Sequence, residues 1–331
     1  MEPIDFILTW VDGSDPEWQK ERAQYSGEEY TERASVHYRD WGVLKYWFRA
    51  VEAYAPWVNR IHFVTCGQTP NWLNIKHPKL HLVNHRDYMP EEYLPTFSAN
   101  PIELNFHRIK GLAEQFVYFN DDTFLTAPTQ PEDFFKNGLP CDSATFSALI
   151  PSVKGEVITY ILFNDLLLIN ANFSKRQCLK GKLSKWLNLI YGKDNLKTLY
   201  YLPISKFNGF VNPHLPNAFR KSTFEEVWKA ESEYLDMVSR NRFRTKEDVN
   251  QYLMRYWRLV KGEFMPRSSK VGVCCTIGTA NEIIKQHIID KDIKLLCIND
   301  NSTLVDFFEQ KKWIQELMET VFKEKCTYEK A

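Results

Sequence analysis

Ile4-Asp5-Phe6-Ile7-Leu8-Thr9-Trp10-Val11-Asp12-Gly13-Ser14-Asp15-Pro16 is the segment from which the rest of the chain can be read. Its first half is rich in β-branched and aromatic residues with hardly a polar break, as expected for a strand covered on both faces; its second half is dense in turn formers. A buried strand opening into a polar loop is predicted. Further along, Val43, Leu44, Trp47, Val51 and Tyr54 recur at helical spacing until Pro56. Short apolar runs at 60–65 and 80–84 read as strands, 102–114 as a helix, and 116–119 as a strand ending on Asn120-Asp121-Asp122. Strands alternating with helices in this way predict an α/β fold with a mainly parallel, Rossmann-like sheet.

Composition narrows the function classes. The 331 residues carry 42 Lys/Arg against 42 Asp/Glu, so no overall charge excess favours a nucleic-acid partner. The start of the sequence has neither the basic nor the apolar segment of a secretory signal, and the most apolar stretch, 157–170, is interrupted by Asn164 and Asp165. Neither export nor a membrane span is expected. The seven Cys include no C-x-x-C pair, and Cys274-Cys275 lacks zinc-ligand spacing, so reduced, mostly buried thiols in a cytoplasmic protein are expected.

Two parts are predicted, an α/β core over 1–170 and a mainly helical part over 171–331. Helical patterns cover 173–191, 224–238, 246–259 (with Thr245 as its N-cap) and 304–323, and a returning strand at 294–298 runs into Asn299-Asp300-Asn301. Charge is uneven along the chain. Residues 171–270 hold 20 Lys/Arg against 9 Asp/Glu, a net +11, whereas residues 1–170 hold 14 against 23. A basic segment of this kind suits a phosphorylated substrate or an anionic membrane face, and a solvated helical surface accounts for it equally well.

No Walker loop, G-x-G-x-x-G, H-E-x-x-H or G-x-S-x-G occurs. What remains is carboxylates and amides after strands: Asp12 and Asp15, Asp121 and Asp122, and Asp300. The carboxyl edge of an α/β sheet is where ligands bind, and hard oxygen ligands there suit Mg²⁺ or Mn²⁺ on a diphosphate, although solvated turn residues produce the same pattern. Glu103, His107 and Arg108 are predicted to share one helical face. In Asn212-Pro213-His214-Leu215-Pro216 two prolines fix a His, which fits either a general base or a satisfied core side chain. His62 and His81 sit in strand patterns and read as core. Arg240, Arg242 and Arg244 read as a phosphate-facing run or an exposed basic loop.

Taken together these stretches resemble the Stealth family of sugar-phosphate transferases. Residues 4–16 resemble its first sequence block. The second is carried by Arg39-Asp40, Ala55-Pro56-Trp57-Val58, Val64-Thr65-Cys66-Gly67-Gln68, Leu94-Pro95-Thr96-Phe97-Ser98, Ile102-Glu103, His107-Arg108-Ile109 and Tyr118-Phe119-Asn120-Asp121-Asp122. The third is carried by Asn212–Pro216 with Arg220-Lys221-Ser222, and the fourth by Ile298-Asn299-Asp300-Asn301. The blocks follow the family's order along nearly the whole chain. One departure stands out: relatives of the animal lysosomal-enzyme N-acetylglucosamine-1-phosphotransferase type carry a second His three residues after the first in the third block, and Asn217 occupies that place here.

The resemblance implies a GT-A-like nucleotide-sugar-transferase fold. It implies transfer of a hexose-1-phosphate from a nucleotide-diphosphate sugar, expected to be UDP-linked, to a hydroxyl of a lipid-linked or growing glycan in bacterial capsular or cell-wall polysaccharide synthesis. On this reading Asp121, Asp122 and Asp300 surround Mg²⁺ or Mn²⁺, and Asp122 is part of the catalytic set. Asp12, Gly13 and Ser14 hold the nucleotide, Glu103, His107 and Arg108 shape the donor pocket, His214 is the base and Arg220 clamps phosphate. A peripheral contact with the inner membrane face is expected. A conventional glycosyltransferase releasing a nucleoside diphosphate, or a non-catalytic glycan-binding protein rich in Trp and Tyr, are the alternatives.

Overall fold

Strand β1 (Ile4–Thr9) is buried for nearly its whole length and has neighbours on both sides. The computed structural model describes residues 2–27, 38–151, 154, 156–300 and 306–330. β1 pairs in parallel with β2 (Ile61–Thr65) and β4 (Gln115–Phe119), and β2 pairs in parallel with β3 (Leu80–Asn84). β8 (Asn217–Arg220) closes the other side antiparallel to β4, giving the order β3-β2-β1-β4-β8. Because β1 is covered on both faces it reads as a continuous apolar run: Phe6 and Leu8 enter one core with Trp47, Phe63 and Phe119, while Ile7 enters the other with Val64, Phe116 and Phe219. His62 is buried with its ring 2.9 Å from Asp5 and 2.9 Å from His81, the core role expected of it.

Two small sheets extend this frame. β5 (Thr123–Leu125) leaves β4 through the three-residue turn Asn120–Asp122 and pairs antiparallel with β11 (Leu295–Asn299), which pairs in parallel with β10 (Gly272–Thr276). β6 (Phe135–Lys136), β7 (Leu139–Asp142) and β9 (Met265–Pro266) form the third sheet. Strands from after residue 170 thus complete sheets begun before it, and both cores draw on both parts of the chain.

Among the described residues the α-helices are α1 (Pro16–Ser26), α2 (Leu44–Tyr54), α3 (Ala99–Leu104), α4 (Val157–Asn172), α5 (Lys175–Leu179), α6 (Leu183–Trp186), α7 (Asp194–Tyr201), α8 (Lys221–Ala230), α9 (Ser232–Ser239), α10 (Gln251–Lys261), α11 (Asn281–Asp290) and α12 (Phe307–Val321). Several differ from the sequence expectation for identifiable reasons. The helix expected at 102–114 is α3, which starts at the Ser98 cap and ends at Leu104; a single 3₁₀ turn follows, and Gly111 then turns the chain at φ 78°. Glu103, His107 and Arg108 therefore do not share a helical face. The apolar stretch 157–172 is a helix, and the two polar residues within it are docking points: Asn164 donates to the carbonyls of Lys246 and Asp248, and Asp165 accepts from the Asn250 amide. The helix expected over 173–191 breaks into short turns around Gly181 (φ 73°).

The pattern over 224–238 divides into α8 and α9 at Glu231, whose backbone leaves the helical region. α10 begins five residues later than expected. Its cap is Asn250, which accepts from the Tyr252 amide, while Thr245 instead hydrogen-bonds Asp248 through its amide and hydroxyl. α12 starts after Asp306, and residues 304–305 of the expected helix lie outside the described residues, as does Asn301.

Candidate functional site

Three strand ends meet at the carboxyl edge of the main sheet. β1 runs into the turn at Asp12, β4 into Asn120–Asp122, and β11, bonded to Asp122 through Ile298 N–H to the Asp122 carbonyl (2.8 Å), runs into Asp300. The Asp12 turn is internally tied: its carboxylate accepts from the Ser14 amide (2.9 Å) and hydroxyl (2.6 Å), and Gln68 bridges the Asp12 backbone and Asp15. Gly13 is required by close approach, since a Cβ there would lie 2.2 Å from the Tyr38 carbonyl oxygen. A hollow of about 500 Å³ adjoins this turn, lined by Asp15, Lys20, Gly67 and Gln68 among others.

At the end of β4, His214 Nε2 lies 3.7 Å from Asp122 Oδ2. His214 is exposed and adopts φ 50°, a left-handed backbone that non-glycine residues rarely take. Its loop is held from below. Asn212 donates to the Tyr256 hydroxyl and accepts from Arg255, whose Nε and Nη2 grip Asp142 at 2.8 and 2.9 Å, and Arg258 adds a third bond at 2.6 Å. Burial alone would raise the Asp142 carboxyl, but the Arg255 and Arg258 guanidinium groups hold it well below the usual range.

The opposite holds at the edge. Burial raises the Asp122 carboxyl, the nearby His214 lowers it only in part, and Asp122 Oδ1 is buried with no hydrogen-bond partner. Desolvation in the crowded turn, followed by the Asp122 and Asp40 carboxylates, pushes Asp121 up to about 7, although its side chain still reaches solvent. Asp300 lies 3.9 Å from Arg39 Nε. These three carboxylates fit a hard divalent ion in donor chemistry, and the orphaned buried oxygen of Asp122 is the observation that supports the fit. They are not gathered as tightly as the group His214, Cys274 and Cys297, whose ligating atoms lie within 4.8 Å of one another among the described residues.

Glu103 lies beneath the edge. It is buried, accepts from the Gln251 amide (3.3 Å) and lies 3.0 Å from the Tyr118 hydroxyl, which in turn reaches Asn120 and Thr9. Burial pushes its carboxyl up to about 7. Asn217 joins the same network through Gln251 (3.3 Å), so the place where some relatives carry a second His is here a buried support.

Other expected residues are elsewhere. Arg220 is paired in register with Gln115, the first residue of β4, about 13 Å of strand away from the edge at ~3.3 Å per residue, and is engaged by Glu263. His107 packs on Trp228 (5.7 Å) and Phe224 (6.3 Å) of α8, where burial pushes it down to about 3, and Arg108 lies over the Trp228 ring. The structure does not bring these three to the Asp122 edge. Arg240 is occupied by Asp236 and Glu92. Sequence reasoning missed Cys274, Cys297, Asp40 and Arg39 as neighbours of the site. Arg39-Asp40 had a signal, since it stands in the stretch resembling the family's second block, but Cys274 reaches Cys297 only through strand pairing across 22 intervening residues.

Residues 2–30 match Stealth protein CR1, conserved region 1, and residues 37–142 match Stealth protein CR2, conserved region 2. The chain is 42% identical to the capsular polysaccharide phosphotransferase WcwK of Streptococcus pneumoniae, over 100% of this chain and 99% of the relative. The chain belongs to the Stealth protein family. Within it, the chain stands among the polysaccharide phosphotransferases, being also 41% identical to the exopolysaccharide phosphotransferase cps2G of Lactiplantibacillus plantarum over 99% of this chain and 96% of that one. The receptor polysaccharide phosphotransferase WefC of Streptococcus oralis is 40% identical over 92% and 93%. Among solved structures, the galactosyltransferase LgtC aligns over 96% of each chain with 12% identity and a TM-score of 0.42. In this Stealth chain the matched regions contain Asp12, Glu103, Asp121 and Asp122, whereas His214 and Asp300 lie beyond them.

Proposed function

We propose that this chain moves a hexose-1-phosphate from a nucleotide-diphosphate sugar to a hydroxyl of a capsular or exopolysaccharide acceptor. The acceptor oxygen forms a bond to the sugar-bearing phosphorus, the bond from that phosphorus to the nucleoside monophosphate breaks, and the products are a phosphodiester and the monophosphate. The observation that carries the reading is the exposed His214 imidazole facing the incompletely satisfied Asp122 at a sheet edge. A glycan hydroxyl is a weak acid, and His214 Nε2 is the group at the edge suited to accept its proton. The adjacent Asp122 carboxylate would stabilise the imidazolium that forms. Asp121, Asp122 and Asp300 would hold Mg²⁺ or Mn²⁺, which when bound would offset the diphosphate charge. Arg39, beside Asp300, supplies a cation near the same oxygens, and the Asp12 turn with its adjoining hollow suits the nucleotide.

This reading is supported by full-length relatives named as polysaccharide phosphotransferases in three organisms. Its test is a panel of nucleotide sugars incubated with acceptor glycan and a divalent ion. Nucleoside monophosphate appearing with a sugar-phosphate on the acceptor upholds it, and nucleoside diphosphate overturns it. No helix among the described residues is long and apolar enough to cross a membrane, and contact with a lipid-linked acceptor would use the basic 171–270 segment. Anionic vesicles should then bind the chain at low salt and release it at high salt.

A further inference from the structure

Cys274 and Cys297 are cross-strand neighbours, paired in register between β10 and β11, and their sulfurs and a ring nitrogen of His214 lie within 4.8 Å of one another. The Cys297 sulfur is also 3.5 Å from Asp122 Oδ2, which is itself 3.7 Å from His214 Nε2. Two sulfurs, an imidazole and a carboxylate are a set of donors that neither Mg²⁺ nor Mn²⁺ prefers. A tetrahedral ion with metal–sulfur bonds of about 2.3 Å needs ligand atoms about 3.7 Å apart, so closure of Cys274, Cys297 and His214 requires shifts of roughly 1 Å, and Asp122, which lies near Cys297 and His214 but outside that three-residue group, must turn in to complete it. Cys274 and His214 are open to solvent while Cys297 is buried, which provides an entry side and a fixed floor. The remaining oxygen of Asp122 is the buried one without a partner.

We propose that Cys274, Cys297 and His214, completed by Asp122, form a binding site for a thiophilic divalent cation of the Zn²⁺ type, distinct in chemistry from the hard-ion role of the carboxylates. Binding displaces the two thiol protons to solvent, leaving two thiolates, a neutral imidazole and a carboxylate on the ion. An imidazole nitrogen bound to the ion has no lone pair for a proton. Zn²⁺ therefore inhibits transfer, a consequence that rests on His214 acting as base, whereas the binding does not.

Co²⁺ added to the metal-free full-length chain tests the binding without any turnover. The expected result is one ion per chain, the intense visible bands of a tetrahedral site and a thiolate-to-metal charge-transfer band, with Zn²⁺ displacing the Co²⁺. Cys274→Ser, at an exposed position, should weaken binding by about 100-fold or more and remove most of the charge transfer, while Cys66→Ser leaves both unchanged. A weak octahedral spectrum without charge transfer, or equal binding by folded Cys274→Ser, overturns the proposal. If the spectra appear as expected and Zn²⁺ added beside Mg²⁺ or Mn²⁺ leaves nucleotide release at the rate seen without Zn²⁺, the site stands and the assignment of His214 as base falls.

Discussion

Asp142 and Asp122 both support the His214 loop region and have opposite environments. Asp142 is buried between Arg255 and Arg258 with both oxygens bonded, and the loop hangs from that network through Asn212. Asp122, at the strand edge, has one oxygen near His214 and Cys297 and the other buried without a partner. A carboxylate matched by two guanidinium groups holds a conformation. One left incompletely matched stores electrostatic demand that a ligand can satisfy. The contrast accounts for a His held at φ 50°: rigid ionic support reaches the loop through Asn212 on one side, while the imidazole on the other side stays exposed.

The sharpest way to break this contrast is to neutralise each carboxylate. Asp122→Asn should lower turnover by two or more orders of magnitude, about 3 kcal/mol or more of lost transition-state stabilisation, while thermal unfolding stays where it was or rises. Asp142→Ala should do the reverse in kind. It leaves two buried guanidinium groups unmatched, and denaturant unfolding should show a loss of about 3–5 kcal/mol. Unfolding of Asp122→Asn at much lower temperature than the parent would erase the distinction.

Acid titration of stability sharpens it next. The Asp142 carboxyl lies below its unfolded value near 3.9, so its contribution is fully present above that pH and is lost as pH falls below about 4. Glu103 has the other sign. With its carboxyl raised to about 7 from an ordinary 4.5, the folded state holds the extra proton, and stability should decline as pH rises from about 4.5 to 7 and level off above. Asp121, also raised to about 7, adds a decline of the same sign, so Glu103→Gln should make the decline shallower by its own share, as measured by urea midpoints across the range.

The smallest effect is expected at Arg220. Joined to Glu263 and about 13 Å of strand from the edge, Arg220→Ala should change turnover by less than about tenfold. A loss of a hundredfold in turnover with an unchanged melt would return Arg220 to the phosphate.

The parallel core was legible because β1, β2, β3 and β4 are apolar runs ended by Gly, Asn or Asp, and period and punctuation are local properties. The same locality made Asp121, Asp122 and Asp300 visible as strand-end residues. It failed wherever tertiary partners decided the outcome. Asn164 and Asp165 read as interruptions of an apolar segment, yet they dock α4 onto the chain before α10. Arg220 sat in a stretch shared with the family, but the antiparallel direction of β8 carries it away from Asp122 while keeping His214, a few residues earlier, at the edge. Strand direction has no local signature in the sequence. The Cys274–Cys297 juxtaposition depends on register between strands joined through α11, and was hidden for the same reason.

Single-turnover transfer from a nucleotide-diphosphate sugar, followed in the parent, His214→Ala and Asp122→Asn with donor affinity measured in parallel, decides whether the His214–Asp122 edge carries the reaction. Nucleoside monophosphate is the product expected in the parent, with loss of the transfer step in His214→Ala while donor binding is retained, and loss of transfer at any divalent-ion concentration in folded Asp122→Asn. Normal transfer rates in both folded variants would contradict this and remove the His214–Asp122 edge from the reaction.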